Sequence, residues 1–186
     1  MSKDAPTTRA HYRAGPALLH WLTAALILVT VPLGALLGDM PRVQATFKYY
    51  SIHKWLGVTL FVLTCVRLVL RWRYPPPPLP VSMPVWQQRL STLVHALLYT
   101  LLLALPLVGW VASTAGGCPL ELFTVLPQPA PVDKSTALSE LLSGVHSVLA
   151  WTLVTLLALH LAAVLKHQFF DRDHVLARMV DGLRRR

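Results

Sequence analysis

Four stretches of the chain are almost continuously apolar, and polar or proline-rich segments separate them. They cover residues 16–37, 52–70, 90–113 and 143–166. A helix needs about 20 apolar residues to cross the roughly 30 Å hydrocarbon core of a bilayer. Each stretch reaches or nearly reaches that length, so the pattern predicts four membrane-spanning helices. The predicted fold class is therefore all-α, an integral membrane four-helix bundle.

Composition and charge agree with a membrane protein and help to orient it. The chain is 54% hydrophobic and only 13% charged, yet its net charge is +9. Because the basic residues cluster beside helix ends, the positive-inside rule places both termini in the cytoplasm, and we expect no nucleic-acid partner. These residues are Lys3, Arg9 and Arg13; Arg71, Arg73 and Arg89; and Lys166, Arg172, Arg178 and Arg184–Arg186. We predict a cytoplasmic arm at residues 1–15, a four-helix domain at 16–170 and a basic tail at 171–186 that can form a short amphipathic helix.

The fourth apolar stretch carries the first sign of chemistry, because it contains His146 and His160 and ends at His167. An ionisable residue inside a membrane span is costly, so its default interpretation is functional. Fourteen residues of ideal helix turn through about 1400°, within about 40° of whole turns, and rise about 21 Å. His146 and His160 should therefore share one helix face near opposite sides of the bilayer.

The same spacing of fourteen residues recurs in the other three predicted helices and defines two layers of residues. Since alternate helices run in opposite directions, the paired positions fall at two depths. The inner layer comprises His20, Arg67, His95 and His160, and the outer layer comprises Gly34, His53, Gly109 and His146.

Each layer suits a haem held by two axial histidines. The outer layer also offers two glycines, the small residues that a haem needs where a helix backbone meets the porphyrin. In the inner layer His20 pairs with His160, and Arg67 is placed to contact a haem propionate. His95 has four open roles: direct haem ligation, a propionate contact, a wall of a quinone site, or a polar contact between helices. A haem-free alternative also stands, in which the histidines belong to a transporter or a metal-binding membrane protein.

Four motifs in order along the chain carry a resemblance to a known family. They are LLHWLTAALIL, HKWLGVTLFVLTCVRLVLRWRYPPPP, LVHALLYTLLLALPLVGW and GVHSVLAWTLVTLLALHLAAVLKHQFF. With these motifs the sequence resembles the bacterial cytochrome b561 family of four-helix dihaem membrane proteins, which includes superoxide oxidase. The two cysteines, Cys65 and Cys118, form no CxxCH haem-attachment motif and no disulfide framework.

The resemblance implies two haem b groups, one on His20 and His160 and one on His53 and His146. It also implies that superoxide is oxidised, that ubiquinone is reduced, and that His167 lies near the quinone. The basic residues Arg42, Lys48 and Lys54 would then steer the superoxide anion from outside. The alternative within the same family is an electron-transfer subunit that serves a dehydrogenase or another redox partner protein.

Overall fold

The computed structural model describes residues 11–41, 43–79, 83–118, 121–122, 126–127, 131–173 and 175–184. Four long helices dominate it: α1 at Ala14–Asp39, α2 at Phe47–Arg73, α3 at Val85–Ala115 and α4 at Thr136–Lys166. All four are long and apolar enough to cross a membrane. The predicted all-α membrane bundle is therefore confirmed.

Each helix extends beyond the apolar stretch that predicted it. The helix α4 begins at Thr136, seven residues before the apolar stretch, and the Ser135 side chain accepts a hydrogen bond from the Leu138 backbone N–H at its start. This difference has a simple reason. Hydropathy marks only the part of a helix that lies in hydrocarbon, whereas capping residues decide where the helix itself begins.

The helices pack mainly on their neighbours in sequence, α1 on α2, α2 on α3 and α3 on α4. Their shared core is small and aliphatic, with Ile27 of α1, Leu60 of α2 and Leu153 of α4 around four leucines of α3. Many large apolar side chains point outward instead; Leu28 is 73% exposed and Val148 is 67% exposed. In water such a surface would be unfavourable, but in a bilayer it contacts lipid.

The connection between α1 and α2 closes one end of the first hairpin. The Tyr50 hydroxyl donates to the carbonyl oxygens of Leu37 and Met40, at 3.0 and 2.9 Å, and so satisfies groups at the C-terminus of α1. A single turn of 3-10 helix at Gln44–Thr46 precedes α2. On the same side, β1 (Glu121–Leu122) and β2 (Leu126–Pro127) form a short antiparallel pair within the predicted outer loop.

The N-terminal face is the end of the bundle where α1 begins and α2 ends. The predicted helix in the tail is present there as α5, Val175–Arg184, which packs against α1. The Tyr12 backbone N–H donates to the Arg178 carbonyl at 3.2 Å, and the Arg178 guanidinium donates to the Pro78 carbonyl at 2.7 Å. One residue of α5 thus ties the segment before α1 to the proline-rich link after α2.

Candidate functional site

The first half of the outer layer lies where α1 meets α2. His53 of α2 packs its imidazole ring on Gly34 of α1, so closely that a Cβ atom at position 34 would lie 2.6 Å from the ring Cε1. The His53 Nδ1 lies 3.2 Å from the Thr30 carbonyl oxygen, one helical turn before that glycine. Because a carbonyl oxygen can only accept, Nδ1 carries the hydrogen and the Nε2 lone pair is left for a ligand.

The second half repeats this arrangement where α3 meets α4. His146 of α4 packs on Gly109 of α3, where a Cβ atom would lie 3.0 Å from the ring Cε1. Its Nδ1 donates to the Leu105 carbonyl at 3.1 Å, again four residues before the glycine. A proline lies inside the helix in both segments, at Pro32 and Pro106. The two hairpins therefore present their histidines by the same local design.

The imidazoles of His53 and His146 face each other across the bundle. Their ring centroids are 6.3 Å apart and their planes are inclined by 78°. A metal ion bonded to two imidazole nitrogens at about 2 Å each holds the ring centroids roughly 6 Å apart. Donation of the other ring N–H to a carbonyl is the usual support of a metal-bound histidine. The two outer-layer histidines could therefore hold the iron of a haem, and the two glycines make room for their rings.

The inner layer is assembled differently. The Arg67 guanidinium donates to His20 Nδ1 at 3.0 Å, and its Cζ lies 5.3 Å from the centroid of the Tyr99 ring. His20 Nδ1 is thus an acceptor, so its hydrogen is on Nε2. The Arg67 side chain lies in the interior of this layer rather than extending to the membrane surface.

His95 and His160 form the second contact of the inner layer. Their ring centroids are 5.1 Å apart, and the His95 Nδ1 donates to the Ser91 carbonyl at 2.6 Å. The structure therefore places His95 beside His160 and gives it the tautomer with a free Nε2 lone pair. Sequence reasoning had placed all four residues in one layer, but it did not identify these neighbours.

His167 lies just after α4, in a single π-helical turn at His167–Asp171. Its Nδ1 is 2.7 Å from an Asp173 carboxylate oxygen and 3.0 Å from one of Asp171, and Lys166 also pairs with Asp171. Sequence reasoning missed both carboxylates. The only signal was their position four and six residues after His167, and the turn that brings Asp173 back depends on Arg172, whose φ of 52° is left-handed.

The remaining candidates lie apart from these clusters. Cys65 is half-buried, Cys118 is exposed, and both are free thiols. The Lys54 ammonium donates to the Cys118 carbonyl at 2.8 Å, whereas Lys48 lies over the ring of Tyr49. Arg42, His174 and residues 1–10 of the predicted arm lie outside the described residues.

Comparison with known proteins agrees with this architecture. The sequence matches the family described as prokaryotic cytochrome b561 over residues 11–182. Cytochrome b561 homolog 2 of Escherichia coli strain K12 is 32% identical over 176 residues, which cover 93% of each chain. Cytochrome b561 homolog 1 of the same organism is 30% identical over 165 residues, 87% of this chain and 92% of the relative. The probable superoxide oxidase CybB of Yersinia pestis is 27% identical over 162 residues, 87% of this chain and 91% of the relative.

Four membrane-length helices that bring half-buried histidines together are typical of a membrane-bound electron-transfer cytochrome. The chain belongs to the prokaryotic cytochrome b561 family. It is accordingly a multi-pass inner-membrane protein of an oxidoreductase type, with lipid around it and redox partners. Membership also implies haem b as cofactor, which weighs against the haem-free transporter alternative.

Proposed function

We propose that this protein is a dihaem cytochrome that oxidises superoxide and reduces ubiquinone. The observation that carries the proposal is the outer-layer pair, in which His53 and His146 face each other and each Nδ1 donates to a backbone carbonyl. The choice of superoxide as electron donor is supported by the Yersinia pestis relative, which is named a probable superoxide oxidase.

In this proposal His53 and His146 hold the outer haem, and His20 and His160 hold the inner haem. When bound, haem b supplies one-electron chemistry, and two axial histidines favour electron transfer over oxygen binding. The carbonyl acceptors fix the orientation of the outer imidazoles and raise their basicity. His20 needs its other tautomer to bind iron, which frees the Arg67 guanidinium for a charge-assisted bond to a propionate.

His95 is proposed as a residue beside the inner haem, and it is also the rival of His20 as the second ligand. His95 is a candidate ligand because its ring centroid lies 5.1 Å from that of His160 and its Nε2 lone pair is free. Separate substitutions His20→Ala and His95→Ala decide between them. The true ligand is the one whose loss abolishes the low-spin spectrum of one haem, whereas loss of a neighbouring residue leaves that spectrum in place.

Ubiquinone is proposed to bind beside His167. Reduction of one quinone to quinol takes two electrons and two protons, so two superoxide ions are oxidised to two molecules of O2 while the solvent provides the protons. Asp173 accepts a hydrogen bond from the His167 Nδ1 at 2.7 Å, and an Asp171 carboxylate oxygen lies 3.0 Å from the same atom, so both carboxylates would stabilise a positive charge on the imidazole. His167 would thus hold a proton close to the quinone oxygen.

The orientation and the boundaries also belong to the proposal. Both termini are placed in the cytoplasm, with the arm at residues 1–15, the cytochrome domain at 16–170 and the basic tail at 171–186. The support is the basic character of the N-terminal face, where Arg13, Arg71 and Arg73 lie together with α5. Lys48 and Lys54, at the opposite end of α2, would then attract superoxide from the periplasm.

The deciding experiment adds superoxide anaerobically to the purified protein with ubiquinone, and follows haem absorption and quinone reduction together. In the wild type we expect rapid haem reduction by superoxide followed by quinol formation. We expect His146→Ala to show neither rapid haem reduction nor quinol formation. Haem reduction by a partner protein, without any by superoxide, would instead assign the chain to the second candidate, an electron-transfer subunit for a dehydrogenase. The two Escherichia coli relatives, which are named only as cytochrome b561 homologs, are compatible with either candidate.

A further inference from the structure

A cavity of about 350 Å³ opens at the N-terminal face, outside both histidine layers. We call it the N-terminal pocket; residues 11–13 and Pro16 form one wall, and residues 73–78 form the other. Since α1 begins and α2 ends here, the pocket lies at the boundary of the membrane. The four consecutive prolines of the second wall have no backbone N–H, so hydrogen-bond donors must come from elsewhere.

Two arginine side chains of the pocket lie beside the same aromatic ring, that of Tyr74. The Arg13 Cζ lies 4.2 Å from the centroid of the Tyr74 ring, and the Arg73 Cζ lies 5.3 Å from the same centroid. Over the part of the chain that the structure describes, neither guanidinium takes part in an ion pair. Two like charges beside one ring repel each other, and an anion bound by both would offset that repulsion.

Other groups around the pocket are donors as well. Among the described residues no side chain caps α1, and its first turn holds no acidic residue, so the positive end of its dipole is available to an anion. Burial raises the pKa of the Tyr12 phenol above its ordinary value, which keeps its O–H as a donor. The buried Nδ1 of His11 has no hydrogen-bond partner among the described residues, and an Asp181 carboxylate oxygen lies 3.8 Å from it.

We propose that the N-terminal pocket binds the phosphate of an anionic phospholipid headgroup. Planar guanidinium groups bind phosphate oxygens in pairs, and basic pockets between membrane helices are known sites for such headgroups. A lipid is favoured over free phosphate because large apolar side chains next to the pocket face outward along the same two helices. Leu18 of α1 is 59% exposed, and Val69 and Trp72 of α2 are 60% and 84% exposed, so acyl chains can lie along them.

The test uses the full-length haem-loaded protein, stripped of lipid in a neutral detergent. Phosphatidylglycerol, phosphatidylcholine and inorganic phosphate are added separately, and both bound lipid, by native mass spectrometry, and the thermal unfolding temperature are measured. Each basic residue near an anionic lipid is worth about fivefold in affinity, so Arg73→Gln should weaken phosphatidylglycerol binding about fivefold and the Arg13→Gln/Arg73→Gln pair about 25-fold. The matched control is Arg89→Gln, which removes one exposed positive charge from the start of α3, outside the pocket walls.

The proposal is supported if phosphatidylglycerol binds to and stabilises the wild type and Arg89→Gln, but not the double variant, while haem absorption is equal in all three. Equal weakening by Arg89→Gln would overturn it, because the effect would then be general surface charge. Stabilisation by inorganic phosphate alone would also overturn it in favour of a free-anion site. Loss of haem from the double variant would assign the two arginines to a haem propionate instead. If the double variant misfolds, Arg73→Lys is the second test. It keeps the positive charge but loses the planar guanidinium with its paired N–H donors, and the proposal requires it to bind phosphatidylglycerol more weakly than the wild type.

Discussion

The contact between Gly34 and His53 gives the sharpest prediction. In Gly34→Ala the new Cβ would lie 2.6 Å from His53 Cε1, whereas ordinary van der Waals contact begins at 3.4 Å. The imidazole must therefore move by about 0.8 Å, which strains or breaks its hydrogen bond of 3.2 Å to Thr30. Overpacking costs about 1–3 kcal/mol and the lost hydrogen bond about 1 kcal/mol, while alanine gains about 1 kcal/mol of helix propensity. We expect a net destabilisation of about 1–3 kcal/mol, concentrated at the outer haem.

The assay is haem content per chain after purification, with the thermal unfolding temperature as a second measurement. Gly34→Ala should lose most of one of the two proposed haems. Gly109→Ala, where the Cβ would lie 3.0 Å from the His146 ring, should lose less, because about half the displacement is enough. Gly38→Ala in the same helix is the matched control, since no atom of the described residues lies within 4 Å of its added Cβ. If Gly34→Ala retains as much haem and stability as Gly38→Ala, the close contact has no role and the reasoning is wrong.

Three further predictions concern the ligands and their surroundings. His53→Ala and His146→Ala should each abolish one haem and leave the other, as measured by haem content and low-spin absorption; retention of two haems in either variant contradicts the outer assignment. Arg67→Gln should lower the midpoint potential of the inner haem in a redox titration, because a nearby positive charge favours the reduced form; an unchanged potential would show that Arg67 does not contact it. His167→Asn and Asp173→Asn should each slow quinone reduction at least about tenfold with haem spectra unchanged, whereas normal turnover would remove the quinone site from this turn.

The helices and the outer layer could be predicted because both follow from properties local to one helix. Apolar length marks a membrane span, and the spacing of fourteen residues fixes which side chains share a face. The structure does bring Gly34, His53, Gly109 and His146 together at one depth. The carbonyl partners could have been found as well, since Thr30 and Leu105 both precede a glycine by four residues.

The inner layer could be predicted as a set of residues but not as a set of contacts. Whether Arg67 reaches His20, and whether His95 reaches His160, depends on how neighbouring helices rotate and approach each other. No pattern within a single helix contains that information. The contacts of His167 could not be predicted for another reason. A residue in the left-handed conformation after a π-helical turn brings Asp173 back to the imidazole ring, and the sequence does not indicate that conformation.

The attachment of α5 also sets an order in time. Arg178 is separated from its acceptor Pro78 by 100 residues, so this tie cannot form until the ribosome has made almost the whole chain. At a synthesis rate of about 5–20 residues per second, roughly 5–20 s pass between the synthesis of the first two helices and the formation of this hydrogen bond. Truncation before α5 should therefore leave the segment before α1 and the proline-rich link without this tie, however long the protein is given to fold.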